Sequence, residues 1–188
     1  RIIKKVMKVQ GNLDMKSNTE ADYEAIVVGA GVAGIYQIKQ LVDLGVSAAV
    51  LEAAPDLGGT WYNNRYPGAR FDSESYTYSY SFSKEVLDEW HWTEKFSPQP
   101  ETLQYLNFVT DKFDLRKYMQ FGCWVESMVF DDEASFWTIR LADGRDITTR
   151  FVISGMGILS TPTLPNTHFG SVSTKSAPNT PATTPPPR

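Results

Sequence analysis

Hydrophobic positions follow two rhythms in this chain, separated by a long stretch with neither. Ala25-Ile26-Val27-Val28 is an unbroken apolar run of the kind that fills a buried parallel strand, and it enters Gly29-Ala30-Gly31-Val32-Ala33-Gly34. Beyond the glycines, Ile35, Ile38, Leu41 and Val42 recur at helical spacing, and Gly45 stands where a helix ends. Val46–Leu51 is a second apolar run that stops at Glu52. The pattern predicts strand, turn, helix and strand over residues 23–52.

Pro55 breaks any continuation, and from Leu57-Gly58-Gly59-Thr60-Trp61 to about Pro100 no period is visible. This region carries Trp61, Tyr62, Tyr66, Phe71, Tyr76, Tyr78, Tyr80, Phe82, Trp90 and Trp92, punctuated by Asn63-Asn64 and Pro67-Gly68. A structureless loop of this length is uncommon in a compact domain unless it is functional or holds short elements. It reads either as a satellite cluster packed by its own aromatics or as a wall around a flat apolar ligand, and the two are compatible. Ser97-Pro98 then predicts a helix start, serine as cap and proline at the first helical position. Leu103, Leu106, Phe108, Val109 and Phe113 give that helix its apolar face, and Asp114 is expected to cap a short turn through Met119.

From Phe121 the rhythm changes to strands. Val125–Phe130 is one, and Phe136–Leu141 is another, with Trp137, Ile139 and Leu141 alternating. Asp143-Gly144 turns the chain into Ile147–Ser154. There Phe151-Val152-Ile153 reads as a buried strand returning to the parallel sheet before Gly155-Met156-Gly157. The expected fold is therefore α/β: a Rossmann-like domain over 21–165 with a parallel sheet and a small antiparallel insert. Residues 1–20 read as a flexible extension. The Ser/Thr/Pro-rich residues 166–188 read as a disordered tail, too poor in apolar area to offset ordering entropy.

Composition narrows the function. The 188 residues are 41% hydrophobic, enough for a real core in one domain or slightly more. A net charge of −4 without a basic stripe argues against a nucleic-acid surface. No apolar run approaches the ~18 residues of a membrane span. The first twenty residues lack the apolar core of a signal peptide, so a cytoplasmic location is expected. The lone cysteine, Cys123, reads as a small buried residue. His91 between two tryptophans reads as structural and His168 as inert, and no metal-ligand pattern is present.

The glycines carry the candidate chemistry. Gly29 permits a tight turn, Gly31 lets the backbone approach a pyrophosphate, and Gly34 lets the helix lie close on the strand. The first amides of that helix then face an anion. Glu52 falls about 20 residues later, where an acid accepts hydrogen bonds from a ribose. Together they predict a dinucleotide site.

Gly58-Gly59-Thr60-Trp61-Tyr62, the run Asn64-Arg65-Tyr66-Pro67-Gly68-Ala69-Arg70 and Asp72 resemble the Baeyer–Villiger monooxygenases of the cyclohexanone and phenylacetone type, within the flavin-containing monooxygenases. The likeness continues through Ser81-Phe82-Ser83, Trp90, Ser97-Pro98-Gln99-Pro100 and Gly155-Met156-Gly157-Ile158-Leu159-Ser160, covering about residues 21–165. The resemblance implies FAD held by Gly29, Ala30, Gly31, Gly34 and Glu52. Gly59, Thr60 and Trp61 would run along the cofactor, Asp72 and Tyr78 would lie near its flavin end, and the Val125 backbone would meet the adenine. It also implies that Arg70 to Asp72 border the nicotinamide of NADPH, with Asp72 the catalytic carboxylate that positions an arginine from a later domain. On the residues alone, Asp72 also reads as an N-cap for a turn at Ser73-Glu74-Ser75, a lesser reading compatible with the first.

The implied reaction is NADPH-driven flavin reduction, addition of O₂ to give a C4a-peroxyflavin, and oxygen insertion into a small ketone. The chain departs from the family at Asn63, where an aromatic is usual, and at Phe71, where cysteine is frequent, so the pocket near the flavin differs in shape. After Pro165 the family's continuation into a second glycine motif for NADPH is missing, and His168-Phe169-Gly170 is a poor remnant of it. This implies a C-terminally shortened, incomplete domain that is inactive alone. The rival readings are a non-catalytic FAD-binding fragment and an N- or S-oxygenating flavin monooxygenase.

Overall fold

A computed structural model of the chain describes residues 21–160. The expectations for residues 1–20, for 166–188 and for His168 lie outside them.

The predicted opening unit is present. Strand β1 (Tyr23–Val28) leads through the glycine turn into helix α1 (Val32–Asp43), which returns to strand β2 (Ala48–Leu51), parallel to β1. The helix stops as the sequence predicts: Gly45 N–H donates to the Val42 carbonyl and Val46 N–H to the Leu41 carbonyl, the paired bonds of a Schellman motif. Because the Val46 amide is committed to that helix end, β2 begins at Ala48 rather than Val46.

The aromatic stretch is not structureless. It holds three short helices, α2 (Thr60–Asn63), α3 (Ser75–Tyr78) and α4 (Lys84–Glu89), and leads into the long helix α5 (Gln99–Lys112). Helix α5 starts later than expected. Ser97 does not cap it: the Ser97 amide and hydroxyl both engage the Ser75 hydroxyl in a fully buried position. Pro98 occupies the N-cap position and Pro100 the second helical one. Asp114 likewise does not cap the next turn, a 3₁₀ segment over Arg116–Tyr118. It adopts φ +51° and pairs with Lys117 instead.

After that turn come β3 (Met119–Gln120), β4 (Val125–Asp131), β5 (Phe136–Leu141) and β6 (Asp146–Ser154). All six strands form one sheet in the order β3-β2-β1-β6-β5-β4. Strand β6 joins its two halves. Asp146–Thr149 pair antiparallel with β5, and Thr149–Ser154 run parallel to β1, with Thr149 facing Trp137 on one side and Tyr23 on the other. The antiparallel part is thus continuous with the parallel sheet. The expected return strand is there but is not buried: Phe151 is 65% exposed.

Strand alternation divides the core. Ala25 and Val27 of β1 pack with Ile35 and Ile38 of α1 and with Leu106 and Val109 of α5. Ile26 and Val28 pack on the other face with Ala49, Leu51, Cys123, Ile139, Leu141 and Ile147. Cys123 is buried, as expected. The aromatics are not a satellite, since Trp61, Phe71, Tyr80 and Tyr105 belong to the α1 side of the main core. Tyr66 and Tyr76 remain in solvent, and so does His91, which has no buried structural role.

Candidate functional site

The site grows from the turn between β1 and α1. Gly29 sits at φ +101°, a conformation that favours glycine. A Cβ at Gly34 would lie 1.8 Å from the Gly29 carbonyl oxygen, so only glycine permits this approach of helix to strand. Helix α1 has no side-chain cap, and its first main-chain bond runs from Ile35 N–H to the Gly31 carbonyl. The amides of Val32, Ala33 and Gly34 are left outside the helical ladder, a concentration of positive dipole suited to an anion.

Ala30 is fastened at both ends. Its amide donates to Glu52 Oε2 at 2.6 Å, and its carbonyl accepts from Gly58 N–H at 2.9 Å. Glu52 is buried, and its Oε1 accepts from Ala54 N–H at 2.8 Å. Its main chain is tied on the other side, the amide to the Gln120 carbonyl and the carbonyl to the Cys123 amide. The acid predicted as a ribose acceptor is therefore also a strut under the glycine turn. Each carboxylate oxygen keeps a further lone pair for a ligand hydroxyl.

The second glycine loop closes on the first. A Cβ at Gly59 would come within 2.9 Å of the Gly31 Cα, so main chain meets main chain between the two loops. Thr60 and Trp61 open α2 directly from this contact. Trp61 is buried, and its indole N–H donates to the Tyr78 hydroxyl at 2.8 Å. The Gln99 side-chain amide holds the Trp61 carbonyl. Tyr78 stacks on Phe71 with 4.4 Å between ring centroids. Burial pushes the Tyr78 hydroxyl up, the bond from Trp61 opposes this, and the charge of Asp72 adds to the rise.

Asp72 is exposed, and the N-cap position of α3 belongs to Glu74, without a side-chain cap bond, so the capping reading of Asp72 does not hold. Arg70 turns away from Asp72 and engages the Glu94 carboxylate at 3.0 Å and the Phe96 carbonyl at 2.9 Å. Arg65 folds back on Tyr62, donating to its carbonyl and lying over its ring. Val125 opens β4, two residues after Cys123, whose amide bonds to Glu52.

The sequence-predicted residues thus fall into linked groups. Gly29, Ala30, Gly31, Gly34, Glu52 and Gly59 converge; Thr60 and Trp61 lead from them to Tyr78; Asp72 and Arg70 lie on the exposed rim. Open depressions of about 430 Å³ beside Arg65, Gln99 and Leu103, and about 470 Å³ beside Tyr76, Trp90 and Lys95, do not include the glycine turn. Three further residues were visible in the sequence without a stated role at the site. Gly155 packs on the turn, with its amide donating to the Val28 carbonyl and a Cβ there falling 3.1 Å from that same oxygen. Gln99 and Tyr80 act over long separations that leave no local signal. Among the described residues no group of His, Cys, Asp and Glu could hold a metal ion, and no helix is long and apolar enough to cross a membrane.

The family described as NAD(P)-binding Rossmann-like domain matches residues 27–105. Acetone monooxygenase (methyl acetate-forming) of Gordonia sp. (strain TY-5) is 42% identical over 139 residues, 74% of this chain and 26% of that protein. A Baeyer–Villiger monooxygenase of Pseudooceanicola batsensis is 38% identical over 146 residues, 77% of this chain and 27% of that protein. The chain is a homologue of the Baeyer–Villiger monooxygenases. The fold agrees: the crystal structure of OTEMO in complex with FAD and NADP superposes with a TM-score of 0.75 at 40% identity, covering 79% of this chain and 28% of that one. The chain spans little more than a quarter of the length of these family members.

Proposed function

We propose that this chain forms the FAD-binding part of an NADPH-dependent monooxygenase that inserts oxygen into small ketones. The observation that carries the reading is the buried Glu52 carboxylate bound to the Ala30 amide, which sets the acid, the open amides of α1 and the bare backbone of Gly31 and Gly59 around one point. The similarity to Baeyer–Villiger monooxygenases supports the same reading.

The residues fit the cofactor. The α1 amides donate to the pyrophosphate, Gly31 leaves bare backbone for its approach, and Gly29, Ala30 and Gly34 shape the turn that aims them. Glu52 accepts from the ribose hydroxyls. Gly59, Thr60 and Trp61 line the path to the flavin end, where Tyr78 and Phe71 form a stacked wall, and the Val125 backbone borders the adenine. Arg70 and Asp72 border the nicotinamide. The exposed Asp72 carboxylate orients an arginine that holds negative charge during the reaction. When bound, FAD supplies the redox centre that activates oxygen and NADPH supplies the hydride; the protein supplies binding and orientation.

The test is titration of the purified chain with FAD, followed by flavin absorbance. A shifted, structured flavin spectrum at saturation is the expected result. Tight NADP binding without flavin uptake would overturn the reading.

A further inference from the structure

Tyr80 lies in the segment between α3 and α4, 48 residues from the glycine turn in sequence. Its hydroxyl nevertheless donates a 2.6 Å hydrogen bond to the carbonyl of Val32, the first residue of α1. The phenol is held there by its surroundings. Tyr80 is 9% exposed, its own amide donates to the Tyr105 hydroxyl at 2.7 Å, and its ring lies against Tyr36, Phe82 and Tyr105. Burial pushes the hydroxyl well above the ordinary phenol range, which favours the protonated, donating form.

The Val32 carbonyl and the Ala33 N–H belong to one planar, conjugated peptide group. A donor on the carbonyl draws electron density through that group and makes the N–H a stronger donor, the cooperative effect seen in chains of hydrogen bonds. The Ala33 amide stands in the first turn of α1, outside the helical ladder. The aromatic segment therefore reaches the anion-facing end of α1 through a single peptide.

We propose that Tyr80 is a positioning residue for the dinucleotide pyrophosphate, fixing and polarising the Val32–Ala33 peptide. The proposal rests on the reading that the α1 amides take the pyrophosphate of FAD.

The experiment compares wild type with Tyr80→Phe, which keeps the ring and its packing, in the full chain. Affinities are measured for FAD by calorimetry and for adenosine, which lacks the pyrophosphate, by amide shifts in NMR. The same spectra report the Ala33 amide in ligand-free protein. One neutral hydrogen bond corresponds to a loss of about three- to tenfold in FAD affinity, with adenosine binding unchanged and the Ala33 amide proton moved upfield. Equal losses for both ligands would assign Tyr80 a merely structural role and overturn the proposal, as would unchanged FAD binding or an unmoved Ala33 amide. Wild-type chain that takes up no FAD would overturn the reading beneath the proposal and the proposal with it, an outcome distinct from failure in the variant alone. Should Tyr80→Phe not fold, Tyr105→Phe, which removes the acceptor for the Tyr80 amide together with a partner of the Ser79 hydroxyl, is expected to weaken FAD binding in the same selective way, and equal weakening of adenosine would overturn the proposal.

Discussion

Glu52 Oε2 accepts the Ala30 amide proton at 2.6 Å, so the acid at the end of β2 braces the turn at the end of β1. Glu52→Gln keeps the shape but leaves one oxygen to serve two amides, those of Ala30 and Ala54, and turns an NH₂ group toward the other. Hydrogen bonds to a charged acceptor contribute about 1.5–3 kcal/mol. The variant is expected to lose about 1–3 kcal/mol of stability and one to two decades of FAD affinity. Thermal melts and titration calorimetry check both; an unchanged melt would show that the contact with Ala30 does not brace the turn.

Gly34 and Gly155 both pack on the turn, with different tolerances. A Cβ at Gly34 meets the Gly29 carbonyl oxygen at 1.8 Å, which no local shift absorbs, whereas at Gly155 the nearest atom is 3.1 Å away. Gly34→Ala is expected to cost about 3 kcal/mol or more and to abolish FAD binding, and Gly155→Ala about 1 kcal/mol with weakened binding. Denaturant unfolding of the two variants side by side measures the order, and the reverse order would overturn it.

Tyr78→Phe removes the acceptor of the Trp61 indole N–H while preserving the stack on Phe71. Leaving a buried donor without a partner costs about 1–3 kcal/mol. The expected signature is a lower melting temperature together with altered tryptophan fluorescence. A silent variant would mean that Trp61 is held by packing alone.

Alkali should unfold the chain. Burial raises the hydroxyls of Tyr78, Tyr80 and Tyr105 above the ordinary phenol value in the folded state. A raised folded value contributes stability that is fully present below the unfolded value of about 10 and is lost as pH climbs above it. Phenolate absorbance is expected to rise in two stages, with the buried tyrosines ionising only as the far-ultraviolet helix signal is lost. A single smooth titration with the fold intact would contradict this.

The first βαβ unit was legible because its determinants are local. The unbroken run Ala25–Val28, the helical spacing from Ile35 to Val42 and the stop at Gly45 each act within a few residues, and the structure follows them. The Asp143-Gly144 hairpin was legible for the same reason. Ser97 misled because its local capping preference lost to a bond with Ser75, 22 residues away, in a buried pocket that no window of sequence spans.

The amino-acid sequence by itself determined the glycine turn, the acid at Glu52 and the alternation that gives β1 two apolar faces. Only the tertiary structure decided how β6 joins the antiparallel half to β1, that the aromatic segment belongs to the main core, and that Tyr80 and Gly155 meet the turn. Turns and helix ends follow from dihedral preferences and bonds between near neighbours. A contact across 48 or 126 residues exists only once packing has brought the two segments together, and no periodicity in either segment encodes its partner.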